Sequence, residues 1–196
     1  MFKLKKEFSI FISAMLALSL TSCNIDYSNK KEKSDHMVQA AAKMFAEKKL
    51  PEAVALLKEA VALNPENGKI DQLLGDVYYS ENDFESAQKS YDQAVAKKLD
   101  DAELHNSLGV LAMKKGEAQI AIQHFMNATQ KDPKLVAPNI HMGDMALAAK
   151  QLPVAMGFYK KALAADPQNP QALTRIKQIE HAVENPLPTN DEKVIL

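Results

Sequence analysis

The stretch GKIDQLLGDVYYSENDFESAQKSYDQAVAKKLDD, residues 68–101, decides the fold. Within it Gly75 follows Leu74, and Ala87 and Ala94 stand seven residues apart with Tyr91 between them. Each mark recurs at an interval of 34 residues: Gly109 and Gly143 for the glycine, Ala53, Ala121 and Ala155 for the first alanine, and Ala60, Ala128 and Ala162 for the second. Leu57, Phe125 and Tyr159 repeat the large residue between the alanines. Pro65, Pro133 and Pro167 keep the same phase, with Leu99 standing in for proline in the quoted stretch.

The spacing has a physical cause. A small residue such as Gly75 belongs where a neighbouring helix comes close, because a larger side chain would push the axes beyond the usual ~8–10 Å. Two alanines seven residues apart lie two turns apart on one helical face, and the large residue fills the gap between them. Pro51 and Pro153 fall at the starts of second helices, where a missing N–H costs little. The pairs Asn64-Pro65, Asp132-Pro133 and Asp166-Pro167 are turn signals that end those helices. With 46% hydrophobic residues, 6% aromatic and no Trp, the core material is mainly Ala, Leu, Met and Val, which suits closely packed helices.

This pattern resembles the tetratricopeptide repeat, a helix–turn–helix unit. The resemblance covers residues 34–169 as four units, 34–67, 68–101, 102–135 and 136–169. It implies an all-α fold, a right-handed superhelix or α-solenoid of four repeats. The first unit departs most, with Ala41 at the glycine position, while its second helix from Pro51 to Leu63 stays in pattern. Stacked repeats need terminal caps. Residues 170–184 supply one: Ala172, Leu173, Ile176, Ile179 and Ala182 recur at helical spacing among polar neighbours, including Arg175. The domain is therefore expected to span 34–184, and residues 185–196 to form a flexible tail.

The beginning of the chain reads as an address. Met1-Phe2-Lys3-Leu4-Lys5-Lys6 is basic and precedes an apolar run from Phe8 to Leu20. As a helix that run would span about 20 Å, short of the ~30 Å hydrocarbon core of a bilayer. Leu20-Thr21-Ser22-Cys23 resembles the bacterial lipobox, and it contains the only Cys of the chain. The resemblance implies a signal peptide over 1–22 and acyl chains on Cys23, enough for stable membrane anchoring. It further implies an outer-membrane address, since Asn24 stands where inner-membrane lipoproteins commonly carry Asp. Residues 23–33 lack apolar periodicity and are expected to form a flexible spacer.

Charge and motifs narrow the function. With 24 Lys+Arg against 25 Asp+Glu, the chain is not a generally basic nucleic-acid binder. One Cys excludes an internal disulfide. His36, His105, His124, His141 and His181 form no metal-ligand motif, though His105 and His141 could approach on successive first helices. No phosphate-cradling glycine loop and no nucleophile elbow occurs. Neither catalysis, nor a cofactor, nor a small-molecule substrate is expected.

A peptide groove is expected instead. The resemblance implies that it is lined from the first helices by Val38 and Phe45, then Gln72, Asp76 and Tyr79, then Asn106, Val110 and Met113, then Ile140, Asp144 and Leu147. Phe45, Tyr79, Val110, Met113, Ile140 and Leu147 fall off the core positions of the repeat, which a client-binding wall would explain. Asp76 and Asp144 occupy equivalent positions two repeats apart and could pair with cations of a client. The Lys/Asn clamp by which some relatives of this fold hold chaperone tails is missing. The pattern looks like small lipoproteins that assist pilus or secretion assembly, with an envelope protein as partner. An adaptor that docks cell-wall enzymes, or a self-associating module, is the alternative.

Overall fold

The structure, a computed structural model, describes residues 27–185. Among these the chain forms nine helices and no strand. They are α1 (residues 27–46), α2 (Leu50–Leu63), α3 (Gly68–Ser80), α4 (Phe84–Ala96), α5 (Ala102–Lys115), α6 (Ala118–Lys131), α7 (Val136–Ala148), α8 (Leu152–Ala165) and α9 (Pro170–Glu184). The chain divides into two compact units at Leu99/Asp100. The first holds the helix pairs α1/α2 and α3/α4; the second holds α5/α6, α7/α8 and α9.

Each pair closes on the periodic residues. Ala53, Ala60, Ala87, Ala94, Ala121, Ala128, Ala155 and Ala162 are fully buried, as are Leu57, Tyr91, Phe125 and Tyr159. Burying each large side chain contributes on the order of 2 kcal/mol over leaving it in water. The glycines stand where the neighbouring helix comes close, and what they make room for is its ring. A Cβ on Gly75 would lie 2.4 Å from the Tyr91 ring, one on Gly109 2.6 Å from Phe125, and one on Gly143 2.5 Å from Tyr159. The first unit departs at this place for a reason. Where Leu57 replaces the ring, Ala41 fits in the glycine position and is itself fully buried.

The turn inside each pair is left-handed at one residue, again at the 34-residue interval: Lys48 (φ 63°), Asn82 (φ 63°), Gly116 (φ 79°) and Lys150 (φ 59°). In each turn the next residue's N–H reaches back to a carbonyl of the preceding helix, as in Lys49 to Met44 at 2.9 Å and Glu117 to Ala112 at 2.9 Å. Lys98 repeats the device (φ 62°) at the end of α4, where the proline is missing. Its neighbour Leu99 donates to Ala94 at 3.1 Å. Asn67, Asp83, Asp101 and Asn169 cap α3, α4, α5 and α9 through their side chains. In the first unit Lys97 at the end of α4 forms an ion pair with Asp71 of α3, a carboxylate only 1% exposed.

The spacer expected over 23–33 is corrected where it can be followed. From residue 27 onward the chain is already helical and continues into the first repeat. Ser34 is fully buried and donates to the Ala60 carbonyl at 3.0 Å, which anchors α1 on α2. Extending a helix from an anchored turn needs no new nucleus, so polar residues without apolar periodicity can still be helical. Glu32 and His36, four apart, lie within 3.9 Å. Residues 1–22, expected to form a signal peptide, Cys23 and the tail residues 186–196 lie outside the described residues. No helix among the described residues is long and apolar enough to cross a membrane.

Candidate peptide-binding faces

In the first unit the candidate residues sit on α1 and α3. Val38 and Phe45 are half-buried and pack against the core cluster that contains Ala41, Ala53, Leu57 and Ile70. Tyr79 is half-buried, its ring 5.5 Å from that of Phe84 at a tilt of 53°, and burial pushes its phenol up from the ordinary value. Asp76 accepts the hydroxyl proton of Tyr91 at 2.7 Å. Gln72 is only 6% exposed, and its carbonyl oxygen has no hydrogen-bond partner.

In the second unit the candidates sit on α5 and α7. Val110 and Met113 are half-buried and pack on Ala112, Ala121, Phe125 and Met142. Leu147 is half-buried against the cluster of Tyr159, Ala155 and Ala162. Asn106 is half-buried, and its carbonyl oxygen, like that of Gln72, is covered and without a partner. Asp144 accepts from Tyr159 at 2.7 Å and pairs with Nε of Arg175 at 2.9 Å.

Three expectations change. Ile140 is a core residue, 3% exposed and packed with Ala155, Tyr159 and Ile179, so it lines no surface. Gln72, at the same position of the second repeat, is covered as well, though polar, so this position is an inner one in both. Asp76 and Asp144 are committed inside the fold, satisfying buried phenols. Burial and the hydrogen bond to Asp144 raise the Tyr159 phenol far above its ordinary range.

The histidines also pair differently from the expectation. His105 meets His124 through facing Nδ1 atoms at 3.1 Å, and His141 instead stacks on Phe125, ring centres 5.1 Å apart at 27°. Burial lowers the affinity of His141 for a proton, with Asp144 partly opposing that effect. Among the described residues no group of three or more His, Cys, Asp or Glu is placed to hold a metal ion. Arg175 escaped the sequence reading, which placed it on the polar side of the cap. The Asp that stands 15 residues before each repeat Tyr was the legible signal for the polar pairs.

Comparison with known proteins agrees with this geometry. A family profile described as tetratricopeptide repeat matches residues 44–111. The fold is similar to that of PilF of Pseudomonas aeruginosa, with a TM-score of 0.73 and 18% identity over 80% of this chain and 71% of that one. PilW, described as a widely conserved type IV pilus biogenesis factor, gives 0.68 with 23% identity over 77% and 70%. YrrB, described as a tetratricopeptide-repeat protein with an unusual peptide-binding site, gives 0.57 with 17% identity over 81% and 82%. The chain thus has the all-α tetratricopeptide-repeat fold, built from four helix pairs and a closing helix.

Proposed function

We propose that this chain is a non-catalytic scaffold that holds a segment of another polypeptide against its first-helix faces. The observation that carries the reading is the pair of unpartnered amide oxygens. Gln72 and Asn106 stand 34 residues apart, at the same position of successive first helices, and each has a buried carbonyl oxygen without a donor. Such an oxygen costs about 1–3 kcal/mol while it stays unpaired. In each unit by itself, a polypeptide laid on the first-helix face offers backbone N–H groups, and a side-chain rearrangement that uncovers the amide oxygen lets it accept from them. The half-buried Phe45, Tyr79, Val110, Met113 and Leu147 add apolar contacts.

The likeness in fold to PilF and PilW supports a client from a pilus or secretion complex. The lipobox-like residues ending in Cys23 support a lipid anchor at the periplasmic face of the outer membrane. Two experiments separate these claims. Cross-linking capture from the cell's own envelope should recover a secretin or pilus subunit with the parent chain and lose it with Tyr79→Ala/Met113→Ala at unchanged helical content. Recovery undiminished by the double substitution would remove these faces from the reading. Independently, Cys23→Ser should shift the protein from the membrane to the soluble fraction, and unchanged fractionation would end the anchor claim.

A further inference from the structure

The contact between His105 on α5 and His124 on α6 has a definite geometry. The two Nδ1 atoms are 3.1 Å apart, whereas the ring centres are 5.3 Å apart at a tilt of 36°. The centres are farther apart than the nitrogens by about two ring radii, so the imidazoles meet end-on. Lone pairs directed along one line do not converge on a common third point, as a chelated metal would require. The end-on approach is that of an N–H···N hydrogen bond, in which one ring donates and the other accepts.

The far side of His105 decides which. Its Nε2 lies 2.9 Å from Oδ1 of Asp100, and Lys131 donates to the other oxygen of Asp100 at 2.7 Å. The hydrogen bonds from Lys131 and His105 hold the Asp100 carboxyl below its ordinary range, so it stays an acceptor. His105 therefore carries its proton on Nε2 and presents a bare Nδ1, and His124 donates from its own Nδ1. A first added proton goes to Nε2 of His124 and leaves the bond between the rings intact. A second leaves an N–H on both Nδ1 atoms, so that two cations would face each other at the distance of a hydrogen bond.

We infer that the His105–His124 pair is an acid-sensitive latch between the two helices of the third repeat, closed with zero or one proton and opened by the second. Burial, and then the neighbouring His105, push the proton affinity of His124 below the ordinary histidine range, so the doubly charged pair forms only on the acid side. The charged groups around the latch are Asp100 and Asp101 before α5, Glu103 on α5 and Lys131 on α6. From α7, packed on both helices, come His141 against Phe125 and Asp144 beside His141. The inference does not depend on client binding.

Long-range 15N–1H NMR of the intact chain tests it, with pH lowered from about 8 to about 4, a range that spans ordinary histidine titration. At the high end His105 should appear as the Nε2–H tautomer and His124 as Nδ1–H. The two rings should then take up protons in separate steps. Amide exchange in α5 and α6 should rise at least about tenfold across the second step, the equivalent of one unit of differential protonation. In His124→Gln, whose side chain can still donate to His105 but gains no charge, that acid step should vanish, whereas His141→Gln should retain it. Simultaneous protonation of both rings, the opposite tautomers, or an acid step that survives His124→Gln would overturn the inference. The titration of the parent chain decides alone if the variants do not fold.

Discussion

Tyr159 donates its phenolic proton to Asp144 at 2.7 Å, and two repeats earlier Tyr91 donates to Asp76 at the same distance. Between them, the third repeat has Phe125 and Val110 at the same two positions, and the first has Leu57 and Ala42. The two positions thus change together: a phenol comes with a carboxylate, and an apolar ring or chain comes with an apolar partner. Each buried hydroxyl has its acceptor, and no carboxylate is spent where there is no hydroxyl.

The fourth repeat should therefore accept the third repeat's pair. Asp144→Val alone leaves the buried Tyr159 hydroxyl without an acceptor and should cost about 1–3 kcal/mol. Tyr159→Phe alone should cost less, near 1 kcal/mol, because Asp144 keeps Arg175. The double substitution should lie closer to the parent than the sum of the two. Urea unfolding of all four proteins measures the coupling, and strictly additive losses would show that the pair is not a unit.

The glycine positions make a second test. In Gly109→Ala the new methyl would sit 2.6 Å from the Phe125 ring, which is fully buried and has little room to retreat. The expected loss is about 1–3 kcal/mol, the usual range for overpacking. Adding Phe125→Leu should recover part of it, because it recreates the Ala41/Leu57 pair of the first repeat. A double variant that melts no higher than Gly109→Ala would show that the ring is not what the glycine accommodates.

These pairs show how far the sequence could be read. The 34-residue period identified the helix pairs because a face that must bury itself repeatedly needs the same residue sizes at the same places. The helix-ending turns were less legible. Only Gly116 among the four left-handed positions is a glycine, and Lys48, Asn82 and Lys150 carry the same conformation without announcing it. The candidate faces were least legible. Ile140 fell off the repeat's recognised core positions, yet it and Gln72, at the same position two repeats earlier, are both buried. The acidic points, Asp76 and Asp144, looked available only because their tyrosines lie 15 residues away on another helix. The helix over 27–33 was missed because it is built by extension from Ser34 and not by its own apolar stripe.

The ion pair of Asp71 and Lys97 makes a third prediction. Asp71 is 1% exposed, so removing the lysine leaves a buried charge without its counter-ion. Lys97→Met should cost about 2–4 kcal/mol, somewhat below the loss typical of a wholly buried pair because Lys97 is itself partly in water. Asp71→Leu combined with Lys97→Met should be milder than Lys97→Met alone, since no charge then remains buried. Denaturant midpoints at neutral pH decide between these outcomes. A single variant as stable as the parent would show that water reaches Asp71.

His141 gives the fourth, through its contact with Phe125. Burial holds its proton affinity below the ordinary histidine value, so in the folded chain it stays neutral at a pH where the unfolded chain has begun to bind a proton. As pH falls through the ordinary histidine range, the unfolded state binds more protons than the folded one, and stability must fall with it. The loss begins at the unfolded value and is complete below the lowered folded one. Denaturant midpoints should accordingly drop between about pH 7.5 and about pH 5, the window of histidine titration. His141→Gln should flatten that slope, leaving the share that belongs to His124, whose affinity is also lowered. If the slope of His141→Gln matched that of the parent, the stacked imidazole would be free to charge in place, and its burial against Phe125 would not resist the proton.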